Sequence, residues 1–217
     1  MTQTDQAYER LREAIINLEL KPGTMYSEVD LASFVDLGRT PVREAIQRLV
    51  REKLFEPKKN RGILITAIDV IGQLELLDVR RALEQLLAKR ACVQATSDER
   101  NLMLTHAGRI EEAAATNDVR SFLSANRDIQ ELKARAAHND TLRGTMDLFF
   151  GLSRRFWVAY HQSFPHSMEE AGKLHGKILR SIAVSDQVGA VRASDELIDF
   201  LENFTRQTVE VRTRRTK

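Results

Sequence analysis

The sequence predicts a mainly α protein in which an N-terminal winged helix-turn-helix domain, residues 1–68, precedes an all-α antiparallel helical bundle, residues 69–217. Three observations carry that expectation. Two short apolar stripes at helical spacing are joined by the tight connection Asp36-Leu37-Gly38, and the second stripe has arginines on its opposite face. A basic hairpin pattern follows over residues 54–65. From about Asp69 strand signals stop, and six further helical stripes follow, each with its own start and stop signals.

The elements read in order as follows. Tyr8, Leu11, Ala14, Ile15 and Leu18 form the stripe of a first helix that ends before the turn signal Lys21-Pro22-Gly23. Ser27 with Asp30 resembles a capping box, and Leu31, Ala32 and Val35 give a brief second helix its apolar face. In the third helix Val42, Ala45, Ile46 and Leu49 share one stripe, while Arg39, Thr40, Arg43 and Gln47 share another. Gly38 serves as its N-cap, and Pro41 sits in the first turn, where its missing N–H costs nothing. Leu54-Phe55-Glu56 and Ile63-Leu64-Ile65 flank a basic turn, which predicts two short strands. The bundle helices carry, in turn, Leu74, Leu77, Leu83, Leu86 and Leu87; Leu102, Leu104 and Ile110; Phe122, Ala125, Ile129 and Leu132; Leu142, Met146, Phe149, Leu152, Phe156 and Trp157; Leu174, Ile178, Leu179 and Ile182; and Val188, Leu197, Leu201 and Phe204. Ser167, with Glu170 three residues on, is expected to cap the fifth of these. The basic tail, residues 211–217, is expected to fray.

Composition limits the function classes. A chain of 217 residues is long enough for two cores. The single cysteine, Cys92, leaves no internal disulfide framework and no zinc-binding cluster, which fits a reducing cytoplasm. Residues 1–13 are polar and carry acids, unlike a signal or transit peptide, and no apolar run reaches bilayer length, so no membrane association is expected. A net charge of +2 excludes indiscriminate polyanion binding, yet residues 38–61 hold eight cations against three carboxylates. Arg39 and Arg43, four apart, project the same way and fit guanine edges or phosphates. Lys58, Lys59 and Arg61 on the hairpin turn suit a DNA backbone or minor groove.

These residues resemble the GntR family of bacterial transcription regulators, in its FadR-like subfamily with an FCD ligand-binding domain. The resemblance rests on Leu20-Lys21-Pro22-Gly23, on Leu31-Ala32, on the run from Arg39-Thr40-Pro41-Val42-Arg43-Glu44-Ala45 to Leu49, and on Asn60-Arg61-Gly62. Farther along it rests on Val79-Arg80-Arg81-Ala82-Leu83-Glu84, Ala137-His138-Asn139, His175 and Asp186. It implies a homodimer that binds an inverted-repeat operator in double-stranded DNA, usually as a repressor, under control of a small-molecule effector in the helical domain. Arg39, Thr40 and Arg43 then fall on base- and phosphate-contacting positions, and Arg61 with Gly62 on the wing tip. Val29 stands where many relatives carry a DNA-contacting arginine, and Asp36 and Gly38 replace the more usual Gly and Ser of the turn. Many such domains hold a divalent metal. The four ligand positions read here as Asn126, Gln130, His175 and, by an ungapped reading, Leu197. Amides are weak ligands and leucine is none, so no metal is expected.

The candidate effector-binding residues are Arg80, Asn126, Gln130 and His175. Arg80 is either a carboxylate anchor or a salt-bridge partner of Glu84 four residues on. Asn126 and Gln130 lie one turn apart and can both face the bundle interior, where buried amides need partners. His175 is either a satisfied core histidine or a pocket residue. Two alternatives stand beside an effector-controlled regulator: a metal-assisted enzyme with an attached DNA-binding domain, for which one histidine and two amides are a poor ligand set, and a regulator that has lost its effector response.

Overall fold

The computed structural model describes residues 1–215, with side chains through Val209, so the side chains of the basic tail lie outside the described residues. The described chain contains nine α-helices and a three-stranded sheet. It divides into two compact units: Met1–Asp69 together with Gly151–Ala159, and Val70–Phe150 together with Tyr160–Lys217.

In the first unit, α1 (Gln3–Ile16), α2 (Glu28–Val35) and α3 (Arg39–Arg51) pack beside the sheet of β1 (Met25–Tyr26), β2 (Phe55–Lys58) and β3 (Gly62–Ile65). Capping boxes at Thr2 with Asp5 and at Ser27 with Asp30 fix the starts of α1 and α2 by satisfying amide groups that have no intrahelical acceptor. Asp36 ends α2 in the left-handed conformation (φ 53°), which a short polar side chain tolerates. Gly38 then caps α3 with extended geometry and no side-chain hydrogen bond. The apolar stripes converge on one core, in which Leu11, Ile15, Leu31, Val42, Ala45, Leu49 and Ile65 are fully buried. Each buried aliphatic side chain of this size contributes about 1.5–3 kcal/mol. Leu152 packs against the same core.

The strand order is β1-β3-β2, all antiparallel, with Met25 opposite Leu64 and Lys58 opposite Gly62. The sequence shows β2 and β3 but not β1, whose two residues are extended only because β3 supplies a partner. Gly62 (φ 108°) closes the hairpin, and a Cβ there would lie 2.6 Å from the Tyr26 carbonyl oxygen. Both the dihedral and the close backbone require glycine. Gly62→Ala is expected to destabilise this unit by about 1–3 kcal/mol, read as a lowered urea midpoint, with a larger loss in DNA affinity than in helicity.

The second unit is built from α4 (Val70–Gln94), α5 (Ser97–Ala115), α6 (Val119–Ala136), α8 (Ser167–Ala183) and α9 (Gln187–Arg215), with the part of α7 (Asp140–Tyr160) outside residues 151–159. Its closest helix pairings are α5 with α8, α4 with α9 and α8 with α9. Gly172 lets α5 and α8 approach, since a Cβ there would sit 2.8 Å from that of Ala114. Arg81 ties α4 to α9 through Asp199 (2.7 Å) and Glu202 (2.8 Å). Several sequence expectations need correction here: Leu86 of α4, expected on the packed stripe, is exposed, and Leu18 lies beyond α1, which ends at Ile16. The buried face of α5 is Met103, Ala107, Ile110 and Ala114, and Leu102 and Leu104 are exposed, because the larger residues fell out of phase with the packed stripe. Val188 of α9 is also exposed. His166, not Ser167, stands at the N-cap of α8, and Ser167 is its first residue. No helix among the described residues is long and apolar enough to cross a membrane.

Candidate nucleic-acid interface and buried polar cluster

The short α2, the left-handed turn at Asp36 and the two-faced α3 form a helix-turn-helix, with the β2–β3 hairpin as its wing. Burial of Val42, Ala45, Ile46 and Leu49 turns the opposite face of α3 outward, and Arg39, Thr40, Arg43 and Gln47 are all exposed on it. Not every nearby arginine shares that role. Arg48 is half-buried, pairs with Asp5 (3.0 Å) and lies 3.7 Å over the Tyr8 ring, so it holds α3 to α1. At the wing, Lys59 and Arg61 are exposed, whereas Lys58 is half-buried and pairs with Glu56 two residues back. Asn60 adopts the left-handed conformation at the turn (φ 58°).

Glu28, at the first position of α2, is a residue the sequence reading did not single out. Its carboxylate accepts from Arg43 Nη2 at 2.7 Å and from Arg43 Nε at 3.1 Å, a forked pair across the helix-turn-helix. The hydrogen bond from Arg43 holds the Glu28 carboxyl below its usual range, and Glu28 in turn raises the Arg43 guanidinium. The pair therefore stays charged at neutral pH and fixes the direction of the Arg43 fork. The fifteen-residue separation hides this in the sequence, since only the turn brings the two together.

The four candidate effector residues lie in the second unit, where α4, α6 and α8 meet. Arg80 (3% exposed) and Glu84 (1%) of α4 are joined by Arg80 Nη2 donating to Glu84 Oε1 at 3.0 Å. The sequence left open whether Arg80 pairs with Glu84, and it does so deep in the unit. Lys133 of α6, also 1% exposed, donates to Glu84 Oε2 at 3.0 Å. Both cations lie against the Phe150 ring, at 5.1 and 5.5 Å from its centroid. Asn126 Nδ2 and His175 Nε2 are 2.9 Å apart. Gln130 Oε1 and His175 Nδ1 are buried without a hydrogen-bond partner. Leu197 is an ordinary apolar core residue of α9.

Lys133 escaped the sequence reading, although Asn126, Gln130 and Lys133 recur at helical spacing on one face of α6. Burial pushes the Glu84 carboxyl up, but the Lys133 ammonium and the Arg80 guanidinium reverse this and hold it at about 2. Burial, with the same two cations, pushes the His175 imidazole down to about 3, so it is neutral at physiological pH.

Those shifts predict acid lability. The unfolded chain takes up a proton on His175 below pH 6.5, while the folded chain resists until about pH 3, so stability falls as pH drops through that window. Glu84, at about 2 against 4.5 when free, adds stability that is present above pH 4.5 and lost below it. The expected slope is at most about 1.4 kcal/mol per pH unit for each group. Thermal unfolding of chelator-treated protein from about pH 7.5 to 3 checks this, and His175→Gln should flatten the decline between about pH 6.5 and 4.5.

Comparison with known proteins agrees with this architecture. Residues 75–200 match the FCD domain, and residues 3–65 match the bacterial regulatory proteins of the gntR family. The Uxu operon transcriptional regulator of Escherichia coli (strain K12) is 26% identical over 92% of this chain and 84% of its own length. The uncharacterized HTH-type transcriptional regulator YdhC of Bacillus subtilis (strain 168) is 27% identical over 65% of this chain, and the Nta operon transcriptional regulator of Aminobacter aminovorans is 32% identical over 39%. Those two matches span 64% and 40% of the relatives' own lengths. The solved structure of E. coli McbR/YncC superposes with a TM-score of 0.85 at 17% identity, covering 96% of this chain and 99% of that one, which establishes a shared fold. With its FCD match extending over more than half its length and a gntR-type helix-turn-helix ahead of it, the chain belongs to the FCD-domain branch of the bacterial gntR family.

Proposed function

We propose that this protein is a transcription regulator that binds an inverted-repeat operator as a homodimer, usually a repressor's mode of action, and that a small molecule held in its helical unit alters DNA affinity. The observation that carries the reading is the outward face of α3. Four polar or cationic side chains project from a helix whose other face is fully packed, beside a wing tip carrying Lys59 and Arg61. An enzymatic reading lacks comparable support: among the described residues no three His, Cys, Asp or Glu side chains gather as metal ligands.

Dimerisation is assigned to α4. Val79, Leu86 and Val93 are seven residues apart and exposed at 53%, 44% and 61%, and Ile71 continues the stripe at 69%. A heptad-spaced apolar seam on a 25-residue helix suits a second copy of the same helix. Two-fold pairing would give each dimer two recognition helices for two half-sites. Small-molecule control would act by population shift, with the effector favouring one spacing of those helices. Selection of bound duplexes from a random library tests the proposal. Recovered sequences should share an inverted repeat, and recovery of unrelated sequences would refute operator recognition.

A further inference from the structure

We propose that the buried Lys133–Glu84 pair takes the place of a divalent cation in this helical unit, so that the cluster binds a small hydroxylated monoanion directly and without metal. This rests on the reading of the unit as effector-binding. The side chains present do not fit a divalent ion. Of Asn126, Gln130, His175 and Leu197 only His175 is a strong ligand; its Nε2 already faces Asn126 Nδ2 at 2.9 Å, and Leu197 is packed at 1% exposure. Two cations are built in beside them, and a third would meet their repulsion.

Charge and unsatisfied groups define what the cluster lacks. Among the described residues the buried Arg80 and Lys133 are hydrogen-bonded to one carboxylate, that of Glu84, so this trio buries a net single positive charge. Such a charge is costly unless an anion accompanies it. Glu84 takes one of the three Lys133 donors, leaving others for an incoming carboxylate. With Asn126 Nδ2 donating to His175 Nε2, the His175 proton resides on Nδ1, a donor without an acceptor. Gln130 Oε1 is an acceptor without a donor. One hydroxyl group satisfies both, accepting from His175 and donating to Gln130. Gln130 and Lys133 stand three residues apart on one face of α6, so a single ligand can offer a hydroxyl to the first and a carboxylate to the second.

The test is isothermal titration of EDTA-treated full-length protein with the 2-hydroxy acids glycolate, lactate and gluconate. Propionate serves as the control lacking the hydroxyl and lactamide as the control lacking the charge. At least one hydroxy acid should bind with a dissociation constant unchanged by added zinc or manganese, and both controls should bind about tenfold or more weakly. The variant Lys133→Met, which leaves Arg80 and Glu84 paired with each other, should weaken binding about tenfold to a hundredfold. Gln130→Leu, a second probe should Lys133→Met not fold, should abolish the preference for lactate over propionate. Binding that appears only with added metal overturns the inference and leaves the effector reading intact. Metal-free binding unchanged in both variants also overturns it. Silence of all acids, with and without metal, removes the effector reading and this inference together.

Discussion

Leu86→Glu combined with Val79→Glu is expected to convert the protein to a monomer by light scattering and to weaken operator binding at least about a hundredfold. The first effect follows from the α4 seam. Each substitution sets a carboxylate in a stripe that is exposed in the single chain, so the fold of the protomer should be undisturbed. In the pair, the two-fold relation places the substituted positions near their own copies, adding like-charge repulsion to the loss of apolar burial. The second effect is one of effective concentration. With two helix-turn-helix units joined, engagement of the second half-site is intramolecular, and linkage of this kind raises affinity by about a hundredfold or more. A monomer that retains operator affinity would separate dimerisation from recognition and locate the seam's purpose elsewhere.

Arg43→Ala is expected to lower operator affinity about tenfold to a hundredfold, and to relax the base preference at the position it reads. Its fork is already pointed by Glu28, with 2.7 and 3.1 Å contacts, so the arginine enters the complex with little orientation left to lose. Glu28→Gln separates orientation from charge. Removing the carboxylate should raise affinity for arbitrary duplexes severalfold at low salt, since one negative charge no longer faces phosphate. It should also narrow the gap between operator and scrambled DNA, because Arg43 then samples more directions. Arg39→Ala should act similarly to Arg43→Ala at its own position. Lys59→Ala, a backbone contact, should weaken all sequences alike.

The helices and the two-faced α3 were legible because their signals are local. Period 3.6, the capping box at Ser27 and the glycine at position 38 each act within a few residues. Elements that depend on distant partners were not legible. β1 is two residues long and extended only against β3, and the Glu28–Arg43 fork exists only after the turn has folded. In α5 the leucines at 102 and 104 suggested the wrong face, since Met103, Ala107, Ile110 and Ala114 are the residues the fold buries. The polar cluster was half visible. Arg80 with its possible partner Glu84, the amides Asn126 and Gln130 one turn apart, and His175 on an apolar stripe stood out, while Lys133 did not, and only its burial distinguishes it. Leu86 fits the α4 apolar pattern yet lies outside the protomer core, which becomes intelligible once the helix has a second face to cover.

Fluorescence anisotropy of the full-length protein on a selected inverted-repeat duplex and on a scrambled duplex, titrated from about 50 to 300 mM salt (roughly a third to twice physiological ionic strength), tests the central claim most directly. Operator-specific recognition by α3 and the wing predicts at least about a thousandfold preference for the inverted repeat, with affinity for both duplexes falling steeply and linearly on logarithmic axes as salt rises. Equal affinity for the two duplexes at every salt concentration, or no measurable binding to either, would contradict it.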